Sequence, residues 1–154
     1  MSKIFEKLID LLLEKRVDFE VMAHQPVETS EQAALVRGTS LESGAKAIVA
    51  KLDDFVMLVL PSNLKLDSSK IKKLFKTKNF RFADDDELLK LTGCKKGAVP
   101  PFGMLFGLET VVDEKLLDQK EINFNAGAND KSIKMNTKDY VKILKPKIEK
   151  ISQD

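Results

Sequence analysis

The sequence contains one cysteine, one histidine, one tyrosine and no tryptophan. A lone Cys94 rules out an internal disulfide and suits the reducing cytoplasm, where thiols stay free. One histidine with one cysteine falls short of the usual zinc ligand sets, so no metal and no other cofactor is expected. Neither the G-x-x-x-x-G-K-[ST] phosphate loop nor the G-x-G-x-x-G fingerprint occurs. His24 has no G-x-S-x-G elbow with which to build a Ser-His-Asp triad, so a protein nucleophile is poorly supported. No stretch approaches the roughly 18 consecutive apolar residues of a membrane span. The opening segment, MSKIFEKLIDLLLEKR, sets acids among its apolar residues, which a secretory leader does not.

What is present describes a protein of 154 residues with 43% hydrophobic and 32% charged side chains. That is enough chain for one domain with a real core, and a single domain over residues 1–154 is expected. The net charge of +2 is unevenly spread: residues 65–96 carry 10 basic and 5 acidic side chains. Lys70, Lys72, Lys73, Lys76, Lys78 and Arg81, followed by Lys90, Lys95 and Lys96, form a block able to meet phosphates by counterion release. A solvated helix face explains the same residues, so charge alone does not decide the function.

Periodicity supplies the element order. Ile4, Phe5, Leu8, Ile9, Leu12 and Leu13 fall at helical spacing over 4–16. Phe19 to Met22 alternates as a short strand leading to His24. Thr29 or Ser30 caps a helix that Gly38 ends. The apolar runs AIVAKL and FVMLVL flank Asp53-Asp54, which predicts a hairpin over 47–60 with the acidic pair at its turn. Asp67 and Asp84 cap two further helices, and Phe80 to Phe82 lies between them as a strand. Strands are predicted at 108–112, 122–124 and 132–135, then a helix capped by Thr137 that Pro146 interrupts, with a frayed end. The pattern is one α+β domain.

Three local features stand out for chemistry. Lys46 opens an apolar strand just behind Gly44. Lysine is seldom buried without a partner or a purpose, and one at a pocket rim holds a phosphate or carbonyl oxygen as a point charge. A strand-end lysine snorkelling to solvent is the competing explanation. Second, Gly97-Ala98-Val99-Pro100-Pro101-Phe102-Gly103 cannot be regular helix or central strand. Glycine lets main-chain N–H groups approach a ligand and proline keeps them aimed, as a developing oxyanion requires, although a structural crossover uses the same residues. Third, His24 with Pro26 and Thr29 sits at a strand-to-helix junction, where histidine either positions a base or ribose or simply packs. Asn125, Asn129 and Asp130 have comparable standing, because Asx residues also occupy turns for local reasons.

Taken in order, these segments resemble the YbaK/ProX family of prolyl-tRNA editing domains. His24-Gln25-Pro26-Val27-Glu28-Thr29 looks like the family's H-x-P-x-x-T opening, and Gly44 to Val49 like the strand bearing its central lysine. Leu66-Asp67 with the lysine-rich helix, Arg81-Phe82-Ala83 and Leu91-Thr92-Gly93 are similar to its middle section. Gly97 to Pro101 fits its G-x-x-x-P loop, and Ala126-Gly127 with the 132–135 strand fits its ending, so the likeness runs over roughly residues 5 to 145.

The resemblance implies an α+β fold in which a curved, mixed, mostly antiparallel sheet or partial barrel is wrapped by helices. It implies a deacylase that hydrolyses the ester of a mischarged aminoacyl-tRNA in trans, without metal and with help from the substrate's own ribose hydroxyl. Lys46, Gly97 and Pro101 would be the central residues, Lys46 anchoring the 3′-terminal adenosine or its phosphate. Ala98, Val99, Pro100 and Phe102 would hold the aminoacyl group, with His24, Thr29, Gly127 and Asn129 lining the pocket. The implied partners are the tRNA and, as a docking partner, an aminoacyl-tRNA synthetase, with no membrane. A non-catalytic tRNA- or synthetase-binding module of the same fold is the alternative, and hydrolysis of a small nucleotide ester or thioester a third reading. The G-A-V-P-P-F-G loop leaves the edited amino acid open among cysteine, alanine, serine and threonine, because one methylene is worth only about 1–3 kcal/mol of discrimination.

Overall fold

The computed structural model describes residues 3–154, so Met1 and Ser2 of the expected domain lie outside the described residues. The chain forms two sheets. The first is antiparallel and has the order β1-β7-β6, from Phe19–Ala23 (β1), Lys131–Asn136 (β7) and Glu121–Asn125 (β6). The second has the order β4-β2-β3-β5-β8, from Arg81–Phe82 (β4), Ala45–Lys51 (β2), Phe55–Pro61 (β3), Glu109–Asp113 (β5) and Lys147–Glu149 (β8). The β4–β2 and β2–β3 pairs are antiparallel, whereas the β3–β5 and β5–β8 pairs are parallel. The α+β class of the sequence reading holds, and the curved sheet is realised as two sheets that do not close into a barrel.

The central strand β3 of the second sheet is buried on both faces, which is why it reads as a continuous apolar run. Along β3, Met57 and Val59 enter the main core while Val56 and Leu58 enter a smaller one, as a side-chain period of two requires. The main core is covered by Lys3–Glu14 (α1), which buries Leu8 and Leu12. Ser68–Phe75 (α3) closes the smaller core with Ile71.

Capping follows the side chains that can accept from orphan N–H groups. Thr29 caps Ser30–Arg37 (α2), Asp67 caps α3, and Asp84 with Glu87 forms a reciprocal capping box on Asp85–Thr92 (α4). Two expectations need correction. The last helix, Thr137–Leu144 (α5), is capped by Asn136, whose amide oxygen accepts from Lys138 N–H; Thr137 is its first residue. Nor is the end frayed: after Pro146 the chain enters the sheet as β8. Ile151 is then fully buried, and its N–H donates to buried Asp113 Oδ2 at 2.9 Å. The apolar signal there is only three strand residues long, too short to stand out against a helix ending at proline.

The two sheets meet where β2 begins. Gly44 bridges to Asn123 of β6, and Asn123 N–H donates to Ser43 O at 3.0 Å. A Cβ on Gly44 would lie 2.5 Å from Ser62 Oγ and 3.2 Å from Leu41 O, so only glycine lets the chain pass. Beyond that bridge, β4 pairs only with Ala50 and Lys51. The first half of β2 is therefore an unpaired sheet edge, and the cleft opens beside it.

Candidate active site

A cleft of about 100 Å³ lies between α2, the start of β2 and the Gly97 loop. Lys46, Thr29, Gly97 and Val99 line it together, along with Arg37, Ser62, Glu28 and Asn125. The lysine and the glycine–proline bend thus share one cavity.

Lys46 is half-buried, and its Nζ donates to Ser62 O at 3.5 Å, the long limit of a hydrogen bond. Burial lowers its pKa from the ordinary lysine value; Glu31 opposes that shift and Lys65 adds to it. An ammonium with one weak partner is available to a ligand.

The loop supplies fewer donors than the sequence suggested. Pro100 and Pro101 have no N–H, and Ala98 N–H is committed to Lys95 O at 3.0 Å. The N–H groups of Gly97 and Val99 meet no protein acceptor among the described residues. Gly97 sits at φ +84°, in the left-handed region that favours glycine. Ala98, Pro100, Pro101 and Phe102 are buried and do not line the cleft. Phe102 packs edge-on against Phe124 and Tyr140, with ring centroids 5.5 and 5.1 Å away. Tyr140, itself fully buried with its phenol pushed well up by desolvation, donates to Pro101 O at 2.5 Å. This half of the loop is therefore anchored in the core.

His24, Gly127 and Asn129 do not line the cleft. His24 Nδ1 lies 2.7 Å from Gln25 O. A carbonyl only accepts, so Nδ1 bears the proton. Its Nε2 lies 2.7 Å from Ser132 Oγ. Asn129 contributes its main-chain oxygen to Val27 N–H at 3.0 Å, and Gly127 N–H donates to Ala98 O at 2.9 Å. Gly127, at φ +85°, also passes α1 so closely that a Cβ would meet Ile4 Cγ2 at 3.0 Å.

Sequence reading missed Arg37 and passed over Ser132. Arg37 Nε donates to Ser132 Oγ at 2.8 Å, Nη1 to Asn123 Oδ1 at 2.8 Å and Nη2 to Asn125 Oδ1 at 2.9 Å. Desolvation pulls its pKa to about 10, which leaves the guanidinium charged at neutral pH. In sequence Arg37 is merely a cation in the last turn of a helix, where favourable dipole interaction already explains it. Among the described residues no cluster of three or more His, Cys, Asp or Glu is placed to hold a metal ion, and no helix is long and apolar enough to cross a membrane.

The fold thus gathers Lys46 and residues of the Gly97 loop around one cleft. The chain belongs to the aminoacyl-tRNA editing domain family, whose description it matches over residues 24–143. It is 36% identical over 153 residues to the multifunctional Ser/Thr-tRNA deacylase ProXp-y of Escherichia coli strain K12, covering 96% of this chain and 92% of that protein. It is 24% identical over 147 residues to the prolyl-tRNA editing protein ProX of Acetoanaerobium sticklandii, covering 91% and 90% of the two chains. Its fold matches the crystal structure of a candidate trans-editing enzyme for prolyl tRNA synthetase with a TM-score of 0.86 at 20% identity, over 100% of this chain and 99% of that one.

Proposed function

We infer that this chain is an aminoacyl-tRNA deacylase that hydrolyses, in trans, the ester joining a wrong amino acid to tRNA. Kinship to a named Ser/Thr-tRNA deacylase along nearly the whole of both chains supports the activity. The observation that carries the reading of the site is the shared cleft of Lys46, Gly97 and Val99. Lys46 holds the 3′-terminal adenosine or its phosphate, and the Gly97 and Val99 amides orient the ester carbonyl and receive its developing negative charge. Water adds to the carbonyl carbon and the C–O bond to the ribose breaks. The ribose oxygen leaves with a proton, and the free amino acid departs. Among the described residues no hydroxyl of the cleft is hydrogen-bonded to a basic side chain, so the vicinal ribose hydroxyl is assigned the activation of water, and the protein supplies positioning. No metal takes part. Thr29 borders the cleft, while His24 supports it through Ser132.

Among the basic residues, Lys70 is engaged by Asp67, Asp154 and Ser152 O. Exposed Lys73, Lys76 and Lys78 are free to meet the acceptor-stem backbone, read by shape. A synthetase serves as docking partner in capturing tRNA after its release.

The test is a panel of tRNAs charged with serine, threonine, alanine or cysteine, with amino-acid release measured against the spontaneous rate. The expected result is release above background on at least one noncognate pair, unchanged by EDTA and lost when the terminal adenosine is 2′-deoxy. Salt-sensitive tRNA binding with no release on any substrate would establish the non-catalytic binding module instead.

A further inference from the structure

Arg37 holds together parts of the chain far apart in sequence, and all three of its acceptors are neutral: the Ser132 hydroxyl and the amide oxygens of Asn123 and Asn125. No carboxylate lies within ion-pair distance of it among the described residues. A planar guanidinium reaches three acceptors from two strands in one fixed geometry, which an ammonium cannot do. The consequence passes to Asn125. Its Oδ1 is taken by Arg37, so its Nδ2 faces Gly97 O and donates at 2.6 Å. An amide turned the other way would set NH2 against the guanidinium and oxygen against the carbonyl, two repulsive contacts, so Arg37 dictates the orientation. Ser132 Oγ, which accepts from Arg37, is itself held by His24. The chain of contacts His24–Ser132–Arg37–Asn125 thus ends on the carbonyl of Gly97. That carbonyl belongs to the peptide plane lying between the Gly97 and Val99 N–H groups.

We propose that Arg37 is a positioning residue for deacylation: acting through Asn125, it holds the Gly97 carbonyl and, together with the bonds of Ala98 N–H to Lys95 O and of Gly127 N–H to Ala98 O, keeps the loop amides beside the cleft in place. This rests on the deacylase reading above for its kinetic consequence, though not for its structural one. Arg37 need not touch the substrate. Its charge matters less than its fork, and Asn125 is the necessary intermediary.

The decisive variant is Asn125→Asp. A carboxylate pairs with Arg37 at least as well as the amide oxygen does, but it cannot donate to Gly97 O. The expected outcome is an unchanged or raised Tm with kcat lowered about 100-fold, the scale of a misplacement near 1 Å at a reacting centre, and KM within threefold of wild type. Arg37→Ala should lose kcat similarly, and Arg37→Lys should not restore it. The double variant Arg37→Ala/Asn125→Ala should be no slower than the slower single one, since both break the same link. Multiplying losses would mean that Arg37 acts on the substrate directly, and wild-type kcat in Asn125→Asp would remove the link altogether; either result overturns the proposal. A second readout needs no substrate. The ¹⁵N–¹H resonances of Gly97 and Val99 should shift in Asn125→Asp and Arg37→Ala, while those of α3 stay in place. Unmoved loop amides would overturn the proposal whatever the kinetics. Moved amides in a protein that releases no amino acid from any tRNA would leave the link standing and the deacylase reading refuted.

Discussion

Replacing Lys46 by methionine separates catalysis from folding. The ammonium has one protein hydrogen bond, at 3.5 Å to Ser62 O, and burial already disfavours its charged form. Its loss removes at most about 1 kcal/mol of hydrogen bonding and relieves some desolvation, while methionine retains most of the packed stem. Stability should therefore change by less than about 1 kcal/mol, which for a domain of this size is roughly 2–4 °C in Tm. The effect on rate is of another order. Lys46 anchors the 3′-terminal adenosine or its phosphate, so its loss lets the ester shift against the loop amides, and a misplacement near 1 Å slows reaction about 100-fold. Single-turnover release of amino acid from mischarged tRNA, beside urea unfolding of both proteins, measures the two quantities. A Lys46→Met protein that deacylates within threefold of wild type would refute the role given to the lysine. One that unfolds in proportion to its lost activity would show that Lys46 is structural.

Other perturbations give distinct signatures. Raising the pH should reduce kcat/KM, corrected for spontaneous ester hydrolysis, as the solution passes the Lys46 pKa, which lies below 10.5. The unfolded chain holds this proton more tightly than the native one, so Lys46 opposes folding at lower pH, and that penalty fades as pH rises toward 10.5; urea midpoints of wild type and Lys46→Met across this range measure it. Gly97→Ala places a Cβ in open space but forces alanine to φ +84°. It should cost about 1–2 kcal/mol and slow release, with Gly97→Asn slowing it less because asparagine tolerates this conformation. Tyr140→Phe leaves Pro101 O buried without its donor. A loss of about 1–3 kcal/mol in urea unfolding is expected, together with faster amide exchange in the loop.

What the sequence disclosed was local in origin. Lys46 behind Gly44, the Gly97–Pro101 loop and Thr29 before a helix each announce themselves within a few residues, and Lys46, Thr29, Gly97 and Val99 line one cleft. The inward turn of Pro100, Pro101 and Phe102 was not legible, because it depends on Phe124 and Tyr140 arriving from later strands and helices. Arg37 gave no signal at all: it lies 86, 88 and 95 residues from the partners that define it. β8 was hidden for a related reason. Its pairing with β5 is parallel and distant, and the buried Asp113 that receives Ile151 N–H looks in sequence like an ordinary surface acid.

The open edge of β2 ahead of Val49 has a kinetic corollary. The walls of that opening are not all local: α2 and Ser62 lie close in sequence, but the Gly97 loop comes from the middle of the chain and Asn125 from near the end. Contacts of such separation incur their loop-closure entropy before any reward and tend to form late. During refolding, far-UV ellipticity should thus recover ahead of tRNA deacylation, so a half-folded molecule is an inert one and cannot strip correctly charged tRNA.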